Sequence, residues 1–147
     1  MEIILYDNKY QDQLEELLIE FSSEIFGYGT ADIDSFVKHH WGIYLAMKGD
    51  EVIGFSSFIY NAYYGLRPPT IGQTYLYVRP EHRRGRASYL LSKQAGYISV
   101  DSNLPLENYY ASDDSKRIGN RMQGTLMYEA YIYEPEEVAK AYNKLKL

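Results

Sequence analysis

Leu76-Tyr-Val-Arg-Pro-Glu-His-Arg-Arg-Gly-Arg-Ala-Ser-Tyr-Leu-Leu91 changes its periodicity halfway along. Up to Val78 it continues a β-rich run from Thr74 and stops at Pro80. After Gly85 the apolar residues Ala87, Leu90, Leu91, Ala95 and Ile98 follow helical spacing. Arg79, Arg83, Arg84 and Arg86 surround the glycine between the two. The pattern predicts a strand, a turn and a helix start in succession. The first N–H groups of a helix have no acceptor within it and sit at the positive end of its dipole, so they form an anion site. Arginines beside them favour phosphate, and a residue without a side chain at 85 leaves the approach open.

Leu76-x-Val78-x-Pro80 followed by His82-x-x-Gly85-x-Ala87-x-x-Leu90-Leu91 resembles the acyl-CoA-binding motif of the GNAT N-acetyltransferases, V-x-P-x-x-[QR]-x-x-G-x-[GA]-x-x-L. With Gly85 and Ala87 at the two small positions, His82 takes the Gln/Arg place and the loop is one residue shorter. Keeping the spacing from Pro80 instead puts Arg83 at that place and Arg86 at the glycine. The first register also aligns Leu90 and Leu91 with the helix face and is preferred. The resemblance implies that His82, Arg83, Arg84, Gly85, Arg86, Ala87 and Ser88 hold the pyrophosphate of acetyl-CoA or another acyl-CoA. It also implies that the backbone of Leu76, Tyr77 and Val78 receives the pantetheine arm and stabilises the oxyanion. The fold implied is α/β (α+β): a mixed, mostly antiparallel central sheet flanked by helices, with a splay between strands four and five.

A chain of 147 residues, 46% hydrophobic and without a Pro/Gly/Ser-rich linker, suits one domain over 1–147. No apolar run approaches the ~20 residues of a membrane span, and Met1–Asp7 lacks the features of a signal peptide. A soluble, cytoplasmic protein without a membrane partner is expected. Cysteine is absent, and three histidines at 39, 40 and 82 do not have metal-site spacing, so no metal is expected. The net charge of −5 argues against nucleic acid as a partner and suits a cationic amine or a lysine-bearing protein.

Glu2–Tyr6 reads as a first strand and Asp7 or Asn8 as the cap of a helix carrying Leu14, Leu17, Leu18, Phe21 and Ile25 on one face. Gly27 and Gly29 stop it. Thr30 or Asp32 begins a second helix with Ile33, Phe36, Val37 and His40 on one side. In the family resembled, this helical pair borders the acceptor site, and His39 and His40 are candidates to line it, against a plain capping or packing role. Ile43–Lys48 and Glu51–Tyr60 form a hairpin about Gly49-Asp50, whose "ivG" run ending at Gly54 is similar to the second and third strands of that family. Thr70–Val78 is strand four, the helix runs from Gly85 to about Ile98, Val100–Leu106 connects, and Leu106–Ala111 is strand five. Ser112–Asp114 caps a short helix, Leu126–Tyr133 is a last strand, and Pro135 opens a closing helix. That ending departs from the family and suits a lid or a homodimer contact.

The proton chemistry has no such match. The family's general acid lies in a run Y-x-x-x-G-F, and alignment on Gly124 puts Asn120 there. Tyr109 and Tyr128, with Tyr110, are substitutes by residue type. Gln73 is a candidate to hold a water where a strand-four carboxylate is absent. Glu107, Asp113, Asp114 and Glu129 are alternative bases, each equally suited to capping or solvation. Among 17 tyrosines, Tyr60, Tyr63 and Tyr64 are candidates for an aromatic cleft. The resemblance implies acetyl transfer from acetyl-CoA to a primary amine of a small molecule or protein, by direct attack in a ternary complex, with a catalytically weak or inactive binding module acting through a protein partner as the alternative.

Overall fold

The computed structural model describes residues 1–109 together with Pro135, Glu136 and Lys140. Met1–Lys116 is one compact unit of the chain and Arg117–Leu147 another. The first contains a five-stranded sheet in the order β1-β2-β3-β4-β5, formed by β1 (Glu2–Leu5), β2 (Gly42–Lys48), β3 (Glu51–Asn61), β4 (Thr70–Val78) and β5 (Leu106–Asn108). The first four strands pair antiparallel; β5 joins β4 in parallel. A mixed sheet of this kind is what the resemblance implied. Strand four matches its expected limits.

Helices cover both faces. Asp7 caps only a single 3₁₀ turn, Asn8–Tyr10, accepting from the Lys9 N–H at 2.9 Å. α1 (Gln11–Phe21) follows and continues as a π turn, Ser22–Phe26, closed by Gly27 in the left-handed region at φ 79°. α2 (Ile33–His39) begins at Asp32, whose carboxylate accepts from the Ser35 N–H. Leu14, Leu17, Leu18 and Phe21 of α1 pack with Ile33 of α2 onto Leu45, Val52, Phe55 and Tyr77. On the opposite face, Ala87, Leu91, Ala95 and Ile98 of α3 (Arg86–Ser102) cover Ala46, Ile53, Val78, Phe58 and Ile71. Each fully buried Leu, Ile or Phe in these layers contributes about 1.5–3 kcal/mol.

α3 runs four residues beyond the expected end at Ile98. The apolar stripe stops there, but nothing breaks the backbone until Asn103, which takes φ 54° and lets its N–H close onto Val100 O. The final turn is helical without being amphipathic, and Val100 is exposed. Strand five is described as far as Asn108, so its expected end at Ala111 lies outside the described residues, as do the expected elements from Ser112 to Tyr133. Pro135, Glu136 and Lys140 are helical.

Two irregularities shape the sheet's centre. At Gly54 a Cβ would lie 2.7 Å from the Tyr77 carbonyl oxygen, so β3 and β4 approach each other there more closely than any other residue allows. Farther along, Ser57 pairs with Tyr75 but Phe58 pairs with Gln73. Thr74 is the extra residue of a β-bulge.

Candidate functional site

The bulge decides which side chains of β4 face which helix. Tyr75 and Tyr77 pack on the α1–α2 side, while Leu76 and Val78 pack toward α3. The inserted residue turns Thr74 toward α2 as well, where its Oγ1 lies 2.9 Å from His40 Nε2 and 2.6 Å from Ser57 Oγ. β4 is buried at both ends and half-open only at Thr74, Tyr75 and Leu76. The described β4–β5 ladder covers Ile71 to Gln73, extended by the Tyr109 N–H donating to Gln73 O at 3.3 Å. Among the described residues, Tyr75 to Val78 pair with β3 alone, and Thr74, the bulge residue, has no register partner on either neighbouring strand. Unpaired backbone groups on that edge need another partner.

At the end of β4 the chain makes a 3₁₀ turn, Pro80–His82, and reaches α3 through Arg83, Arg84 and Gly85. Gly85 caps α3 without a side-chain hydrogen bond, leaving the first-turn N–H groups of Arg86, Ala87 and Ser88 without an intrahelical acceptor. Its φ of −102° is open to any residue, and a methyl group there would meet only His82 O at 3.4 Å. The protein itself has little need of a glycine here; an open approach to those amides does. Arg84, by contrast, is held at φ 64°, a left-handed conformation that costs a non-glycine residue about 1 kcal/mol or more.

The four arginines separate. Arg79 turns toward α1, within 3.4–3.6 Å of Glu16, Glu20 and Glu51. Its Nε, 3.5 Å from Glu20, is buried without a well-aligned hydrogen bond. Arg83 donates through Nη2 to Glu24 at 2.7 Å and through Nε to Val78 O at 2.8 Å, and its guanidinium lies 5.3 Å from the Tyr77 ring centre. Tyr77 also donates to Glu24, at 3.0 Å, and burial chiefly pushes its pKa up to about 12. The Arg83 hydrogen bond holds the Glu24 carboxyl below its ordinary value despite some burial. Arg84 and Arg86 are exposed, and among the described residues neither has a carboxylate within ion-pair distance. His82 is half-buried.

The expected acid and base candidates fall into different settings. Gln73 is buried, with Nε2 donating to Ser56 Oγ at 2.7 Å. Tyr109 donates to Glu107 at 3.1 Å and accepts from Asn61 Nδ2 at 2.6 Å, while burial first and Glu107 next raise its pKa well above the ordinary tyrosine value. These surroundings make the Tyr109 phenol a weaker acid than an ordinary tyrosine. Glu107 also accepts from Tyr63 and, at 2.5 Å, from Arg67. This network ties the loop after β3 to β5 and leaves Glu107 no role as a free base. Tyr128, Tyr110, Asp113, Asp114 and Glu129 lie outside the described residues.

Tyr60 and Tyr64 are exposed and Tyr63 is bound to Glu107, so they do not line the depressions of the α1–α2 face. One depression, of ≈ 690 Å³, is bordered by Glu20, Glu24, Glu81 and Tyr77; the other, of ≈ 270 Å³, by Phe21, Phe26, Phe36 and Tyr75. Residue composition did not reveal His40, Thr74 and Ser57 as a group. Their contacts span 34 and 17 residues, and the bulge that creates them has no local sequence signal.

No protein-family model matches the chain, and no curated protein is similar to it in sequence. Solved structures are similar over nearly its whole length. The ribosomal-protein-alanine N-acetyltransferase of Brucella melitensis biovar Abortus 2308 superposes with a TM-score of 0.68 at 12% identity, covering 90% of this chain and 98% of that one. The aminoglycoside N-acetyltransferase AAC(6')-Iy in complex with CoA gives 0.69 at 13%, covering 90% and 93%. A possible acetyltransferase from Clostridium difficile 630 gives 0.70 at 18%, covering 90% and 96%. At these identities the likeness concerns the fold.

Proposed function

We propose that this chain, which has the fold of the GNAT N-acetyltransferases, transfers an acetyl group from acetyl-CoA to a primary amine. One observation carries the reading: β4, bulged and half-open at Thr74 to Leu76, is followed through one short loop by a helix start that has no capping side chain. Arg84 and Arg86 stand beside that helix start. We read Arg86, Ala87 and Ser88 as the backbone donors to a pyrophosphate, with Arg84 and Arg86 adding charge and Gly85 leaving room. Arg83 supports the loop through Glu24 and Val78 O, and His82 is read as a further contact to the pyrophosphate. The backbone of Leu76, Tyr77 and Val78 is assigned to the acyl arm. A fixed N–H there, aimed where negative charge develops, is worth roughly 3 kcal/mol.

Bound acyl-CoA supplies an activated thioester, and the chain's residues orient it, admit a neutral amine and exclude water. Orientation alone supplies a large part of such an acceleration. The net charge of −5 favours approach of a cationic amine, whether on a small molecule or a protein. We read residues 1–147 as one functional domain acting in the cytoplasm. Among the described residues no helix is long and apolar enough to cross a membrane. Tyr128 is a candidate acid by residue type, and the C-terminal ending suits a lid or a homodimer contact.

The test is a thermal-shift comparison of acetyl-CoA with desulfo-CoA, followed by an assay of CoA thiol release with benzylamine, putrescine and an alanine-ended peptide. Stabilisation by acetyl-CoA and amine-dependent thiol release are expected. Stabilisation without thiol release would favour a binding module, and no stabilisation would remove the reading.

A further inference from the structure

His40 is a half-buried histidine whose ring is held on every side that the described residues provide. It ends α2, lies 4.2 Å from the Phe36 ring centre and 6.2 Å from that of Tyr75, and places Nδ1 2.7 Å from Phe36 O. A carbonyl oxygen only accepts, so Nδ1 carries the proton and Nε2 of the neutral ring presents a lone pair. That lone pair faces Thr74 Oγ1 at 2.9 Å. The Thr74 hydroxyl therefore donates to His40, and its oxygen accepts from the Ser57 hydroxyl at 2.6 Å. Thr74 Oγ1 also lies 3.1 Å from Ser57 O, a longer contact that competes with His40 Nε2 for the single hydroxyl proton. Ser57 is fully buried, His40 is covered by Phe36 and Tyr75, and Thr74 lies in the half-open stretch of β4.

We propose that Thr74 takes the proton from the acceptor amine and passes its own to His40 Nε2, which makes the bulge of β4 the base of the transfer reaction. This rests on the acetyl-transfer reading above. As the nitrogen lone pair forms the C–N bond and the C–S bond breaks with its electron pair leaving on the CoA thiolate, the N–H proton moves to Thr74 Oγ1. The Thr74 hydroxyl proton moves to His40 Nε2 in the same displacement, and the imidazolium formed keeps its Nδ1–H bond to Phe36 O. Thr74 is the catalytic residue of this relay and His40 the positioning residue and final proton store. Burial chiefly lowers the His40 pKa, with a smaller lowering from His39 and an opposing effect of the Phe36 carbonyl. The ring is consequently neutral, and ready to accept, at neutral pH. His39 and Tyr75 are the titratable neighbours of His40 among the described residues; His39 is engaged with Ser35 O at 2.7 Å.

The experiment compares wild type with Thr74→Val, Thr74→Ser and His40→Phe in the full chain. Acetyl-CoA stabilisation, thiol release with the three amine probes between pH 5 and 9, and the ¹⁵N spectrum of the histidine rings are measured for each. Thr74→Val is expected to lower kcat about 100-fold, in line with general-base effects, leave KM for acetyl-CoA within about twofold, and remove the break in kcat that lies below the ordinary imidazole value. Thr74→Ser, which keeps the hydroxyl, should recover most of the rate, and the His40 ring should show the Nδ1–H tautomer. Full activity in Thr74→Val, an unchanged break, or an Nε2–H tautomer would each overturn the relay. Acetyl-CoA stabilisation without thiol release by wild type would overturn it while leaving the CoA site standing, and no stabilisation would remove both. His40→Phe, should it misfold, leaves the Thr74 pair to decide.

Discussion

Arg79 and Arg83 differ from Arg84 and Arg86 in what the fold has already given them. The first two reach back over β4 to Glu16, Glu20, Glu24 and Glu51, so most of their charge is answered within the protein. The second two stand at the start of α3 with no such partner among the described residues and with unpaired helix amides beside them. The difference arises from direction. The chain turns at Arg84, where φ becomes 64°; Arg79 and Arg83 before the turn reach carboxylates of α1, the π turn and β3, while Arg86 after it is exposed. Available charge, rather than charge counted along the chain, is what an anionic ligand meets.

The comparison breaks most decisively if Arg84→Glu with Arg86→Glu leaves the acetyl-CoA thermal shift intact. Loss of that shift is expected, with the ligand-free melting temperature nearly unchanged because neither side chain is packed. Gly85→Ala comes next. Its effect on the ligand-free protein should be small, since 3.4 Å to His82 O is tolerable, yet acetyl-CoA affinity by titration calorimetry should weaken about tenfold, or roughly 1.4 kcal/mol. A similar affinity would mean that nothing approaches that face. Arg83→Ala should do the reverse: denaturant unfolding should show a loss of about 1–2 kcal/mol from its hydrogen bonds to Val78 O and Glu24, with affinity changed less than fivefold.

The smallest expected effect is in pH. Because Arg83 lowers the folded-state pKa of Glu24 below 4.5, the stability this pair adds is complete above that value. It disappears as the pH falls through the lower folded-state value. Urea unfolding of wild type and Arg83→Ala between pH 3 and 6 should converge on the acid side. Curves that stay parallel would show that Glu24 gains nothing from the guanidinium.

Strand four, the hairpin about Gly49 and the inward faces of α1 and α3 were readable because alternating and helical periodicities report which residues meet the core. The glycine-arginine loop was readable as a place. The work of each arginine was not, since Glu24 lies 59 residues from Arg83. Tyr109 shows the same limit: its residue type suits an acid, but Glu107 and burial hold its proton in place. The end of α3 was missed because helix continuation beyond Ile98 involves no buried face.

Sequence alone determined the layered fold, the strand-to-helix turn and the resemblance that goes with it, all consequences of short-range spacing and backbone preference. Tertiary structure alone decided which of the described arginines pair with carboxylates, that Tyr109 is bound to Glu107, and that Thr74 faces His40. Those outcomes depend on a one-residue bulge and on partners distant along the chain, and the energy of a contact depends on distance in space.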